Sequence, residues 1–209
     1  MRFIVCNEPA QIREAQRLRF EVYCVEKSWV DPGACENGVE ADPSDPHAVH
    51  FLALDGDMPV GTARGLLGWR QDLPAAACLD LAPLGLAPNE VAEVSRLATR
   101  RDMRSHDQRI FLGLTAVMWR WGMANSIKVW LAIADVPLYH MLTRAKLPVL
   151  MEGKPIDYLG SLCVPMAFDM AKTGPALQKL YRPSILSRET RPLEMPTAVK
   201  ACDTTADNL

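Results

Sequence analysis

Glu90-Val91-Ala92-Glu93-Val94-Ser95-Arg96-Leu97-Ala98-Thr99 is the stretch on which the fold turns. Its apolar and β-branched residues mark a strand, yet it carries Glu93, Ser95 and Arg96. Charges on a core-facing segment are costly unless they pair or serve a site. A second charged cluster, Glu40-Ala41-Asp42-Pro43-Ser44-Asp45, precedes the apolar run His50-Phe51-Leu52-Ala53-Leu54. Between the two, Gly61-Thr62-Ala63-Arg64 sets a guanidinium on another strand. Upstream, Arg19, Tyr23 and Trp29 follow at intervals of four and six. Together these residues point to a polar site cut into an otherwise apolar fold.

Outward from this centre, strands alternate with helices. Met1 to Cys6 is a first strand. Glu8 to Lys27 carries Ile12, Ala15, Leu18, Val22 and Val25 at helical spacing, with Arg19 and Tyr23 on one face. Asp31-Pro32-Gly33 ends that helix, and 34 to 46 is an acidic loop. Val49 to Leu54 and Met58 to Leu67 form two strands joined by the turn Asp55-Gly56-Asp57. Trp69 to Pro88, with three prolines, is a covering loop or short helix. A helix over Asp107 to Met123 presents Ile110, Leu114, Val117, Met118 and Trp121. Ile127 to Ile133 is a buried central strand. A helix over Pro137 to Lys146 and a final strand pair, near Leu147 to Met151 and Tyr158 to Phe168, complete a mixed α/β sandwich. Residues 1–172 form one domain. Residues 173–209 form a C-terminal tail that Pro183 and Pro192 interrupt, with Leu193 to Leu209 expected to be disordered.

Composition narrows the function classes. A chain of 209 residues buries about 70% of its unfolded surface as one domain. A net charge of −2 gives no drive toward nucleic acid or a membrane surface, and no apolar run is long enough for a membrane span. Six cysteines (Cys6, Cys24, Cys35, Cys78, Cys163, Cys202) show no Cys-x-x-Cys pair, which argues against zinc ribbons and thioredoxin-like motifs. Free thiols in a reducing cytosol fit them, so a cytoplasmic location is expected. His47 and His50 beside Glu40, Asp42 and Asp45 form no metal-ligand pattern, and no metal is expected.

In order and spacing, Arg19, Tyr23, Trp29, Glu40, Asp42, Asp45, Arg64, Glu93, Ser95 and Arg96 resemble the acyl-homoserine-lactone synthases, the autoinducer synthases of bacterial quorum sensing. Their shared pattern runs Arg-x-x-x-aromatic, then Trp, then Glu-x-Asp-x-x-Asp, a strand Arg and Glu-x-Ser-Arg. The resemblance covers roughly residues 10 to 170. The related long-chain N-acyl amino acid synthases share most of it and often carry Tyr at the Tyr23 position. Both families imply a GNAT-like α/β/α sandwich with a mixed, largely antiparallel central sheet.

The resemblance implies acyl transfer from an acyl thioester, on acyl carrier protein or coenzyme A, to the amine of S-adenosylmethionine, followed by lactone closure. S-adenosylmethionine enters as substrate, and no cofactor is implied. Glu93, Ser95 and Arg96 are the candidate catalytic residues. Arg19, Tyr23, Trp29, Asp42, Asp45 and Arg64 would bind the amine donor, the aspartates facing its ammonium and sulfonium. At a reference pKa of about 4.3 Glu93 is a weak base; either burial raises it or its main role is orientation, and orientation is expected. Residues three apart on a regular strand face opposite ways, so Glu93 and Arg96 meet only if the strand bulges or splays. Arg100, Arg101 and Arg104 are candidates for docking an acidic carrier protein; a solvated basic helix start explains them equally. Met118, Trp119, Trp121, Trp130, Leu131 and Met141 are candidates for an acyl tunnel or for plain core. Ala132, where 3-oxo-acyl producers often carry Thr, implies an unsubstituted chain.

Gly65 to Pro88 lacks the Pro-Thr and Pro-x-Met-Leu segments usual in autoinducer synthases, and Tyr158-Leu159-Gly160 resembles the N-acyl amino acid synthases instead. Three functions therefore follow. The expected one is acyl-homoserine-lactone synthesis. The alternatives are acylation of a free amino acid, and a catalytically silent GNAT-like binding domain.

Overall fold

Continuous burial along one strand, shared alternately between two apolar clusters, shows how the layers are built. On β2 (Val49–Asp55), Phe51 and Ala53 face one apolar cluster, and Leu52 and Leu54 face another. The sheet is thus covered on both sides, which is why its strands are near-continuous apolar runs. The computed structural model describes residues 1–180, and the expected Pro183 and Pro192 interruptions and the 193–209 tail lie outside them.

β1 (Arg2–Val5), β2, β3 (Met58–Leu67), β4 (Val91–Thr99), β5 (Val129–Asp135), β6 (Val149–Glu152), β7 (Ile156–Tyr158) and β8 (Ser161–Asp169) form one sheet. Its order is β1-β2-β3-β4-β5-β8-β6, with β7 also on β8. Only the β4–β5 pair is parallel. α2 (Asp107–Ala124), α3 (Val136–Arg144) and α4 (Met170–Leu180) cover one face. α1 (Pro9–Arg19) and the segment from 69 to 90 cover the other. Among the described residues no helix is long and apolar enough to cross a membrane.

Local chemistry sets the boundaries. Gln11 accepts the Asn7 and Glu8 amides at the start of α1, and Pro9 occupies the first helical turn. Asp135 caps α3 by accepting the Leu138 amide at 2.9 Å. The hairpin turn between β2 and β3 uses Gly56 at φ 60°.

Three expectations change. The helix expected over 8–27 is α-helical only to Arg19; Phe20–Glu26 winds as a π-helix. The strand expected over Tyr158 to Phe168 is two strands, because Leu159 and Gly160 take positive φ (48° and 71°) and turn β7 back onto β8. The boundary expected at 172 falls inside α4, whose Met170, Thr173 and Leu177 are buried at helical spacing.

Layer spacing depends on a close approach at Gly113. A Cβ there would lie 2.0 Å from the Phe3 ring of β1. Gly113→Ala gains roughly 1 kcal/mol of helix propensity but overpacks a filled core, which costs about 1–3 kcal/mol. The variant should be the less stable protein, by a lower urea midpoint at unchanged m-value.

Candidate active site

Six buried or half-buried charges close a ring on the face that α1 covers. Arg19, the last residue of α1, is fully buried. Its guanidinium donates to Glu40 Oε2 (2.5 Å), to both Asp45 oxygens (2.8 and 2.7 Å) and to the Glu40 carbonyl (2.5 Å). Arg96 on β4 donates to Glu40 Oε1 and Asp42 Oδ2, each at 3.0 Å. Arg64 on β3 donates to Asp42 Oδ1 at 2.7 Å and lies 3.4 Å from Asp45 Oδ1. Arg19, Glu40, Arg96, Asp42, Arg64 and Asp45 thus alternate in sign around a closed circuit. Each charge faces two of the opposite sign, the geometry that offsets the several kcal/mol of desolvation each would otherwise bear.

Titration follows from this packing. Burial alone would raise the Asp45 carboxyl; the Arg19 hydrogen bonds and charge overcome it and hold Asp45 at about 2. At Asp42 burial is likewise outweighed by Arg64, and the pKa is lowered. His50, 1% exposed, sits with Nε2 3.3 Å from Asp45 Oδ1, and its burial lowers its pKa.

A β-bulge brings the β4 residues to one face. Register with β3 jumps from Arg64↔Ser95 to Thr62↔Ala98, so β4 spends one extra residue there. Arg96 takes φ 54°, an uncommon conformation for a residue with a Cβ. The bulge that the sequence required of Glu93 and Arg96 is present. Ser95 Oγ accepts from Arg64 Nε at 3.1 Å.

Beside the bulge the sheet opens. β4 and β5 pair only from Val91↔Val129 to Val94↔Ala132, although both strands run on. In the gap lies a cavity of about 160 Å³. Its polar end holds Tyr23, Trp29, Glu93, Ser95, Arg96 and Tyr158; its apolar lining includes Val94, Met118, Trp130, Leu138, Leu142 and Phe168. Because Glu93 and Leu131 face one side of the sheet and Val94 and Trp130 the other, the cavity passes through it.

Glu93 stands apart from the ring. It is 1% exposed, and one carboxylate oxygen accepts the Ala75 amide at 2.8 Å. Burial outweighs that bond and the Arg64 and Arg96 charges, and lifts its pKa to about 7. Burial, not orientation alone, therefore shapes this residue. Tyr23 donates to the Leu97 carbonyl at 3.1 Å, packs edge-on against Trp29 at 5.2 Å and carries Arg96 5.7 Å from its ring centroid. Burial pushes the Tyr23 phenol up to about 12, so it stays protonated.

Of the expected site residues, Tyr23, Trp29, Glu93, Ser95 and Arg96 line the cavity. Arg19, Asp42, Asp45 and Arg64 join Arg96 in the ring behind it. Both Asp45 oxygens are held by Arg19, so that carboxylate is a structural counter-ion rather than an open one. Arg100, Arg101 and Arg104 lie past the end of β4: Arg100 is bonded to Asp102 (2.7 and 2.5 Å), Arg104 to Glu26, and Arg101 is exposed. Of the expected tunnel residues Met118, Trp130 and Leu131 line the cavity. Trp119 instead donates to the Met170 carbonyl, Trp121 packs on Phe51, and Met141 is exposed. Ala132 lines it too. Sequence reasoning did not assign Ala75, whose role is carried by a backbone amide, nor Tyr158, which lines the cavity with Arg96. Among the described residues no group of three His, Cys, Asp or Glu is placed to hold a metal ion.

Against known proteins, the family model for N-acyl amino acid synthase FeeM matches residues 14–168. The chain belongs to that family. It is an acyltransferase. No curated protein matches its sequence. Among solved structures it is similar to TofI in a ternary complex with an inhibitor and MTA (22% identity, TM-score 0.68, 88% of this chain and 100% of that one). It is also similar to BjaI, a CoA-dependent acyl-homoserine lactone synthase seen with SAM and isopentyl-CoA (22%, 0.66, 85% of each chain). FeeM from uncultured soil microbes aligns at 15% identity and TM-score 0.61, over 86% of this chain and 97% of that one. The architecture is the GNAT-like α/β sandwich that the resemblance implied.

The ring gives a stability test. Arg19→Lys keeps the charge but loses the planar fork that serves Glu40 and Asp45 together. A loss of about 2–4 kcal/mol in denaturant unfolding is expected, approaching the roughly 3–5 kcal/mol of a broken buried pair. A loss below about 1 kcal/mol, the range of exposed ion pairs, would mean that the ring does not hold the fold.

Proposed function

We propose that the chain moves an acyl group from an acyl thioester to the α-amine of an amino acid, giving an N-acyl amino acid. The observation that carries this reading is the place of Glu93: a buried carboxyl titrating near 7, at the polar end of an apolar cavity that passes through the parted sheet. The family match agrees with it.

A thioester is already activated, so no enzyme nucleophile is required. The acyl chain would lie among Val94, Met118, Trp130 and Phe168, and the amine would approach from the Glu93 side. The tetrahedral carbon formed when the neutral amine makes the C–N bond expels sulfur, which takes the nitrogen's surplus proton and leaves as the thiol; before attack, the acceptor's ammonium passes its first proton to Glu93. With Glu93 near 7 and an α-amine near 8, that transfer costs about 1.4 kcal/mol; from a carboxylate at 4.3 it would cost about 5. Beyond Val94 the β4 backbone has no β5 partner. Its amides there are the donors for the oxyanion, while the Leu97 carbonyl is occupied by Tyr23.

The closed ring supports a zwitterionic acceptor. Three guanidinium groups balance three carboxylates, which leaves no net negative charge for an extra cation. The second reading, transfer to S-adenosylmethionine with lactone closure, is favoured by Trp29, whose ring lines the cavity where a sulfonium would make a cation–π contact. The carrier, coenzyme A or acyl carrier protein, would dock at the basic turn over Arg100, Arg101 and Arg104. A thioester carrier and an amino acid meet in the cytoplasm, where we place the reaction.

Mass spectrometry of products from the purified chain, an acyl thioester and mixed amino acids tests the acceptor. An acylated amino acid formed without S-adenosylmethionine supports the reading; an acyl-homoserine lactone formed only with it replaces the acceptor. Glu93→Gln should lower kcat/KM by roughly 100-fold and erase the acid limb near pH 7.

Stability should move the other way. Because the folded pKa is raised, from 4.5 to about 7, the native state holds this proton longer. Its contribution is fully present below 4.5 and is lost as pH rises through 7. Glu93→Gln should therefore match the wild type at pH 4 and exceed it by up to about 3 kcal/mol at pH 8, read from urea unfolding at the two pH values.

In the cavity, Ala132→Leu should shift acyl preference to shorter chains, read as the ratio of products from a mixture of acyl thioesters. An unchanged ratio would place the acyl chain elsewhere.

A further inference from the structure

Cys24 and Cys35 bring their sulfurs within 3.4 Å of each other. Cys24 is buried on the π-helical segment; Cys35 is half-buried in the extended link between two short 3-10 turns. A disulfide holds its sulfurs about 2.05 Å apart, so a movement of roughly 1.4 Å closes the bond. Cys35, in irregular backbone, is placed to make it. The chain between the two carries Trp29, which lines the cavity. Both the Trp29 and Val30 amides bond back to the Tyr23 carbonyl, at 2.8 and 3.3 Å. The thiols therefore sit at the two ends of the loop that sets Trp29 against Tyr23.

We propose that Cys24 and Cys35 are a redox modification site, at which a peroxide forms a reversible disulfide that fixes the Trp29 loop. The Cys35 thiolate attacks a peroxide oxygen, breaking the O–O bond to give a sulfenic acid and a hydroxide. The Cys24 sulfur then attacks the sulfenic sulfur and expels a second hydroxide. With the two thiol protons, one peroxide is reduced to two waters as one S–S bond forms. Burial, then the Cys35 contact, push the Cys24 thiol up to about 12. Cys24, buried where Cys35 is half-exposed, meets peroxide less readily and acts as the resolving partner once the sulfenic sulfur lies against it.

The purified full chain treated with hydrogen peroxide tests this by non-reducing peptide mapping and hydrogen exchange. The expected result is a Cys24–Cys35 cross-link lighter by two hydrogens and reversed by dithiothreitol. Backbone amides between the two cysteines should then exchange roughly tenfold more slowly. Cys35→Ser should abolish both effects, while Cys78→Ser should leave both. A Cys35 that proceeds to sulfinic acid without a cross-link would overturn the proposal, as would a cross-link that leaves the exchange of the loop unchanged. Neither readout depends on turnover.

Discussion

The closed circuit of Arg19, Glu40, Arg96, Asp42, Arg64 and Asp45 is the constraint on which the site depends. Its members come from the end of α1, the acidic loop, β3 and β4, and none can move without leaving a buried charge underpaired. A buried ion pair is often no better for stability than apolar packing. What the ring contributes is position. It holds a loop without regular strands, over 40–45, against the sheet, and fixes the face that Arg96 presents after the bulge. The π-helical turn after Arg19 belongs to the same arrangement: it carries Tyr23 under Arg96 while Arg19 stays in the ring. Helical irregularities of this kind frequently mark functional sites.

Opening the sheet is the second requirement, and it has its own compensation. Where β4 leaves β5, backbone groups lose their ladder partners, and a buried unpaired carbonyl is costly. The Tyr23 phenol takes the Leu97 carbonyl, so a single aromatic residue both lines the cavity and satisfies the parted strand. The opening also lets one cavity reach both faces of the sheet. In the reaction we propose, an acyl chain on the α2 side and a polar acceptor on the α1 side then meet at one carbon without either crossing the other's environment.

Much of this was legible in the sequence because it rests on residue type and order. Strands β2 to β5 followed from apolar runs and turn residues, and the charged residues inside them marked the site. Even the bulge was implied, since Glu93 and Arg96 cannot share a face on a regular strand. What was not legible depends on distance. The π-helix leaves no mark in the period of so short a segment. The split between β7 and β8 rests on a positive φ at Leu159, a residue that rarely adopts one. Ala75 acts through its backbone amide, which every residue but proline carries, so no side chain could announce it. Trp119 and Trp121 were indistinguishable from Trp130 by type, and only packing separates core from cavity lining. Asp45 read as an open carboxylate because sequence does not show that Arg19 already takes both its oxygens.

The ring also explains how Glu93, the base of the reaction we propose, can titrate near neutrality. Arg64 and Arg96 lie close enough to lower its pKa, and a carboxylate paired with either would titrate well below neutrality, as Asp45 does. Their donors are instead directed to Glu40, Asp42 and Ser95. The three acids of the loop thereby neutralise the arginines on Glu93's behalf, and Glu93 is left with one amide and the desolvation of its surroundings. At an effective dielectric of about 20, a full guanidinium pair at 4 Å is worth about 4 kcal/mol, or roughly three pKa units. That is enough to return Glu93 to the ordinary carboxylate range or below it. A carboxyl near neutrality in an arginine-rich site therefore requires the acidic loop to be complete, which ties the titration of Glu93 to residues on the other side of the ring.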